Sequence, residues 1–248
     1  MIEVKGIAKA FGRQKVLKSC DLTIESGETL VILGQSGGGK SVLLKIIAGL
    51  MHQDAGIVRI NGKRRHEMTE AELGKLALSF GFLFQGAALF DSLSVGQNVT
   101  FALRRFTDHS KAKLRDIAEE RLNWVGLKGV QDKKPSELSG GMRKRVGLAR
   151  AVAMDPAFIL YDEPTTGLDP VTADSINELI LSLQKRIKMT AIVVTHDMTS
   201  AYKVGDRMAM LYHGEIIEVS ATEAFRNSPN PLIQQFIHGR AEGPIEIL

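Results

Sequence analysis

A glycine-rich segment near the start constrains this chain more than any other feature. Gly34-Gln35-Ser36-Gly37-Gly38-Gly39-Lys40-Ser41 follows the apolar run Thr29–Leu33 and leads into Ser41–Leu50, which has the apolar density of a buried helix. The pattern GxxxxGK[ST] gains its meaning from that strand–loop–helix setting. Glycines let the backbone wrap closely around phosphate oxygens with its amide N–H groups turned inward, and the helix start adds the positive end of a dipole. Lys40 is then placed to reach β- and γ-phosphates and the Ser41 hydroxyl to ligate Mg²⁺, with Val42 completing the candidate cradle. A merely flexible glycine linker would need neither the strand nor the helix.

The 248 residues leave room for one large α/β domain or one core with an inserted subdomain. With 44% hydrophobic and 24% charged residues the composition is that of a globular protein able to fold without disulfide or metal staples. The single cysteine, Cys20, excludes an internal disulfide and fits a reducing compartment. MIEVKGIAKAFGRQ lacks a signal-peptide core, and no uncharged apolar stretch approaches the roughly 18–20 residues that span a bilayer. Any role at a membrane is therefore expected to run through a partner. The net charge is +4, and between Leu103 and Arg150 basic residues outnumber acidic ones about two to one. Such a region suits nucleic acid, anionic lipid headgroups or simply a solvated helical surface.

Short strand patterns recur at Ile2–Ile7, Val16–Ile24, Thr29–Leu33 and Ile57–Ile60, with Gly27 and Asn61-Gly62 as turns. After a strand at Phe80–Phe84 the pattern from Asp91 to Met154 is mostly helical, with Leu114, Ile117, Leu122 and Val125 at helical spacing in Ala112–Val125. Strand signals resume at Phe158–Tyr161, Ala191–Thr195, Arg207–Leu211 and Glu215–Val219, with a helix at Val171–Arg186. The expected fold is α/β, a parallel core interrupted by a helical subdomain and flanked by antiparallel strands. Leu232–Ile237, in a segment with Pro229 and Pro231, is amphipathic and reads as a subunit contact or a frayed end.

Phe158-Ile159-Leu160-Tyr161-Asp162-Glu163 is an apolar strand ending in two carboxylates, expected at the carboxyl edge of the sheet beside the phosphate loop. Asp162 is placed to hold Mg²⁺ through a water, and Glu163 to orient or deprotonate the attacking water. Two acids before a Pro turn can also be a loop cap; the glycine cradle favours chemistry. Gln85 and His196, each closing a strand, would add polar side chains at the same edge. Leu138-Ser139-Gly140-Gly141-Met142 opens a helix expected to run to Met154, with Ser139 as its N-cap. This second amide-rich helix start has no lysine of its own and suits a nucleotide held by another copy.

With these residues in order, the chain resembles the nucleotide-binding domains of ABC transporters, with Walker A (Gly34–Ser41), Q-loop (Gln85), signature (Leu138–Met142), Walker B (Phe158–Glu163), D-loop (Gly167-Leu168-Asp169) and H-loop (His196). The resemblance covers about residues 1–220. It implies a P-loop NTPase with a RecA-like parallel sheet core (1–85 and 156–220), an antiparallel β subdomain and an inserted α-helical signature subdomain (86–155), followed by an extension over 221–248. It further implies ATP and Mg²⁺ as cofactors, Glu163, His196 and Gln85 as catalytic residues, and Ser41, Gln85 and Asp162 around the metal. Phe11, with Val16 against it, would stack on adenine, the alternative being that Phe11 belongs to the core. Ser139, Gly140, Gly141 and Asp169 would face the nucleotide of the other subunit in a head-to-tail homodimer. Met142 stands where the family usually has Gln, which leaves the contacts of that side chain in question.

Two stretches, Leu89-Phe90-Asp91-Ser92-Leu93-Ser94-Val95 and Gly141-Met142-Arg143-Lys144-Arg145-Val146, are similar to the ATPases of MCE-type lipid transporters of the bacterial maintenance-of-lipid-asymmetry (Mla) systems. That likeness implies phospholipid movement between inner and outer membranes from the cytoplasmic face of the inner membrane. It also implies an integral membrane permease, a periplasmic MCE-domain protein and a cytoplasmic STAS-domain protein as partners, and no nucleic acid. Leu89, Phe90, Leu93 and Val95 would dock on the permease or pack beneath the helical subdomain. The rivals are a soluble ABC-type ATPase acting on nucleic acid, an importer ATPase for another small solute, and an inactive cassette. Lys40, Glu163 and His196 argue against the last.

Overall fold

The computed structural model describes residues 1–245, and the chain forms two compact units, Met1–Met68 together with the chain from Ile192 onward, and Thr69–Ala191. In chain order the first unit contributes β1 (Ile2–Phe11), β2 (Gln14–Ile24), β3 (Thr29–Leu33), α1 (Lys40–Ile47), β4 (Ala55–Ile60) and β5 (Lys63–Arg64). The second unit holds α2 (Glu70–Leu78), β6 (Phe80–Leu83), α3 (Val95–Val99), α4 (Phe101–Phe106), α5 (Lys111–Trp124), α6 (Gly140–Ala151), β7 (Phe158–Asp162) and α7 (Pro170–Ile187). Strand β8 (Thr190–Val194) carries the chain back, and α8 (Met198–Val204), β9 (Arg207–Tyr212), β10 (Glu215–Ala221), α9 (Thr222–Arg226) and α10 (Pro231–His238) complete the first unit.

In the first unit the strands run in the order β5-β4-β1-β2-β10-β9-β3. β1 pairs antiparallel with β2 and with β4, and β9 with β10, whereas β3 pairs parallel to β9 from Leu30↔Arg207 to Leu33↔Met210. The sequence explains the difference. Along β1 only Ile2, Val4 and Ile7 are buried, an interrupted alternation that suits a sheet with one face on the core. All five residues of β3 are buried, as a strand covered on both faces requires.

In the second unit β6 and β7 pair in parallel from Phe80↔Phe158 to Leu83↔Tyr161, and the rings of Phe80 and Phe158 stack at 5.0 Å. The helical stretch between them is anchored by buried Ala118 and Leu122 on α5 and Val146, Leu148 and Ala149 on α6. Arg121 is buried too: it holds Asp155 at 2.8 Å and lies 3.8 Å from the Trp124 ring. Asp155 stands at φ +49 just after α6, which ends at Ala151 rather than at Met154 because the chain turns there to enter β7.

Several expectations are settled by packing. Part of the basic excess between Leu103 and Arg150 is held by partners within the unit, and the rest lies on its exposed surface. Arg143, Lys144, Arg145 and Arg150 donate to backbone carbonyls of Leu138, Gln85, Val125 and Ala87, Lys134 to that of Ser92, and Arg115 pairs with Asp132. Val95 is fully buried and belongs to the core, while Phe90 is exposed and packs its ring, tilted, against that of Phe101 with centroids 4.5 Å apart. The segment around Leu232–Ile237 is docked, not frayed. Ile233 is fully buried, and the Gln235 side chain accepts the Ile245 N–H at 2.6 Å and donates back to its carbonyl at 3.3 Å. Residues 246–248 of the 221–248 extension lie outside the described residues.

Cys20 is fully buried on β2, and burial, then the neighbouring Asp21 and Glu215 charges, push its thiol up to about 12. The native protein should therefore resist iodoacetamide at mildly alkaline pH. Intact-mass measurement should show one adduct only after denaturation; rapid native labelling would contradict this packing.

Candidate active site

The first unit builds the phosphate loop. β3 ends at Leu33, and α1 begins at Lys40 with Gly39 as its N-cap at φ 96, ψ 1 and no side-chain cap. A helix start of this kind presents backbone amides and the positive end of a dipole, an arrangement that suits an anion. Glycine is required at position 39 on two counts: the left-handed backbone, and a Cβ there would meet Val16 Cγ1 at 2.9 Å and Leu17 Cδ2 at 3.0 Å. Lys40 is buried, and its ammonium donates to the carbonyls of Gly34 at 2.8 Å and Gln35 at 2.9 Å, so the loop closes around its own cation. Val16, half-buried against Gly39, links the loop to the β1–β2 hairpin, where Phe11 is 48% exposed. An accessible ring is what stacking on a base demands. Beyond β8, the Thr195 N–H donates to the Ile32 carbonyl at 3.3 Å, so exposed His196 leaves the sheet at the edge from which the loop springs.

The second unit carries the remaining candidates. Because Leu83 pairs with Tyr161 in parallel, Gln85 and the pair Asp162 and Glu163 emerge from the same ends of β6 and β7. Asp162 and Glu163 are both buried, and Glu163 stands at φ +51, in the left-handed region. Its carboxylate accepts from the Thr166 hydroxyl at 2.9 Å. Ser139 caps α6 as expected, accepting from the Met142 N–H at 3.3 Å, so Met142 contributes a backbone donor whatever its side chain. Gly140 and Ser139 are exposed, and Gly141 approaches Thr172 so closely that a Cβ would meet its methyl at 2.8 Å. Asp169 caps α7 through the amides of Val171 and Thr172. The Thr172 hydroxyl bond, followed by those amides, lowers its pKa.

Two cations in this unit escaped the sequence analysis. Lys144 is buried, its ammonium donating to the carbonyls of Gln85 and, at 3.0 Å, Glu163. Burial lowers its pKa, against the opposing pull of the Glu163 and Asp162 carboxylates. Arg150, two turns on, donates to the carbonyls of Ala87 and Ala88. Their helical spacing on one face of α6 was visible in the sequence; their carbonyl partners were not.

The Ser41 hydroxyl in the first unit and, separately, the Asp162 carboxylate in the second are hard oxygen donors of the kind Mg²⁺ takes, and the amide-rich start of α1 suits phosphates. The chain belongs to the ABC transporter family, whose profile matches residues 17–166. It is the ATP-hydrolysing subunit of an ABC transporter, an enzyme using ATP with Mg²⁺. The chain is 43% identical to the probable ribonucleotide transport ATP-binding protein mkl of Mycobacterium leprae, covering 98% of this chain and 70% of the relative. It is 35% identical to the intermembrane phospholipid transport system ATP-binding protein MlaF of Haemophilus influenzae, covering 99% and 93%. The ATP-binding cassette MJ0796, solved as a dimer in a post-hydrolysis state with ADP and Pi, superposes with a TM-score of 0.82 at 34% identity, covering 90% of this chain and 99% of that one.

Lys40→Ala should weaken ATP binding at least about tenfold, because the ammonium is the cradle's one full positive charge. Titration with a fluorescent ATP analogue measures it, and unchanged affinity would remove Lys40 from the cradle.

Proposed function

We propose that the chain drives phospholipid transport between the inner and outer membranes of a bacterium. It would sit on the cytoplasmic face of the inner membrane, bound through an integral membrane permease. Similarity to MlaF over 99% of this chain and 93% of that protein carries the substrate assignment. The exposed Phe90–Phe101 aromatic pair supports permease docking beside the Q-loop. A periplasmic MCE-domain protein and a cytoplasmic STAS-domain protein follow as partners from the same similarity. A second reading, transport of another small solute, draws on the mkl relative, whose name specifies ribonucleotides. Residues 1–220 serve as the ATPase domain and 221–248 as its extension.

In the proposed cycle, two copies bind ATP head to tail, as the dimeric MJ0796 cassette suggests. The amides of Gly34, Gln35, Ser36, Gly37, Gly38 and Gly39, with Lys40, hold the phosphates. Phe11 and Val16 take the base. Ser41 and Asp162, with Gln85, would hold Mg²⁺, which would supply charge neutralisation at the phosphates. Glu163 orients the attacking water and accepts its proton at the carboxylate, while His196 contacts the transferring phosphate. Ser139, Gly140 and Gly141 of the other copy close the site through a hydroxyl and helix-start amides, and Asp169 lies at the same junction.

Glu163→Gln should keep ATP affinity, lower turnover about a hundredfold or more and accumulate dimer with ATP, followed by steady-state kinetics and size-exclusion chromatography. Turnover near that of the unmodified protein would end Glu163's role as base. The substrate is tested by purifying the chain with its native membrane complex and identifying co-purified subunits and bound molecules by mass spectrometry. Phospholipid with an MCE-domain subunit is expected; a nucleotide or ion importer complex would replace the lipid reading.

A further inference from the structure

We propose that Lys144 is a positioning residue for hydrolysis: its ammonium, carried on the signature helix α6, fixes the backbone of Glu163 and of Gln85 and so sets where the Glu163 carboxylate stands. This rests on Glu163 being the base.

The strain lies at Glu163. A non-glycine residue at φ +51 is held in a sparsely populated conformation, which persists only where its surroundings over-determine it. Two groups do so. The Thr166 N–H donates to the Glu163 carbonyl at 3.4 Å and its hydroxyl to the carboxylate at 2.9 Å, but Thr166 belongs to the same turn and moves with it. Lys144 reaches the same carbonyl at 3.0 Å from a different element. It is therefore an external anchor of the turn.

The second bond of that ammonium, to the Gln85 carbonyl, ties the end of β6 to the end of β7 through one side chain. Around it α6 lies against the loop after β6. A Cβ at Gly147 would meet Leu83 Cδ1 at 2.7 Å and Ala87 Cβ at 3.3 Å. Arg150 takes the carbonyls of Ala87 and Ala88, themselves at φ +61 and +45. Lys144, Gly147 and Arg150 lie three residues apart, on one helix face. That face holds the Gln85–Ala88 backbone by its oxygens, and Lys144 alone on it also reaches Glu163. A methionine of similar length at 144 fills the space but donates nothing, so the Glu163 turn loses an anchor from another element while the cradle of the first unit keeps all its atoms.

The test uses the purified full-length chain with Lys144→Met, Lys144→Arg and each combined with Glu163→Gln. Lys144→Met should lower kcat about tenfold or more with KM for ATP within about twofold, and Lys144→Arg should restore much of the loss by donating to the same carbonyls. In the Glu163→Gln background Lys144→Met should cost no further rate, because it acts through the group already removed. An unchanged kcat in Lys144→Met, a loss expressed in KM, or losses that multiply in the double variant would each overturn the proposal. Should Lys144→Met fail to fold, Lys144→Gln, which keeps a shorter donor, is expected to show the same kcat-selective loss, and full activity there overturns it equally. If Glu163→Gln alone hydrolyses ATP normally, the base assignment fails. If Glu163→Gln is inactive while Lys144→Met is normal, only the role of Lys144 falls.

Discussion

Loop carbonyls near the ends of buried strands have few partners to choose from. They cannot join the sheet beyond its edge, and a buried oxygen left unpaired costs about as much as a lost hydrogen bond. Here buried or half-buried cations fill that need. Lys40 gathers the carbonyls of Gly34 and Gln35, Lys144 those of Gln85 and Glu163, and Arg150 those of Ala87 and Ala88. Each reaches from a helix to irregular backbone, so helix position and loop shape are set together. The same loops carry the candidate chemistry, which would make the scaffold's solution to a solvation problem also the organiser of its active residues.

The division of the chain follows. In the first unit a strand buried on both faces delivers a glycine turn to the start of α1, and His196 leaves β8 beside it. In the second, parallel β6 and β7 deliver Gln85, Asp162 and Glu163 together, while α6 offers its capped start at Ser139. All of these groups are of types that handle a nucleotide. This explains how relatives named for ribonucleotide transport and for phospholipid transport remain 43% and 35% identical to one chain over nearly its whole length. An ATPase subunit is constrained by the triphosphate it hydrolyses far more than by the cargo its permease moves.

Much of this was legible in the residues. Thr29–Leu33 was placed to the residue because a short apolar run bounded by Gly27 and Gly34 has one sensible conformation. The phosphate loop, the paired acids and the Ser139 cap were legible because each depends on local backbone chemistry at fixed spacing. Helix α2 was missed: none of its residues is buried, so it lacks the apolar stripe that marks a helix, although the Thr69–Glu72 capping box announced its start. The basic excess stayed open among several readings, since composition counts charges without saying which carbonyl each one meets.

The sequence alone determined the class of fold, the order of most of its elements and which residues are candidates for a nucleotide site, since these follow from periodicity, glycine placement and side-chain chemistry within short windows. Tertiary structure decided that Val95 is core while Phe90 faces out, that α10 is fastened through Gln235 to Ile245, and that Lys144 binds two carbonyls from the loops that follow two different strands. Those outcomes depend on which distant segments pack together. Burial and carbonyl pairing are properties of neighbours in space, and a side chain carries no record of them until the chain has closed around it.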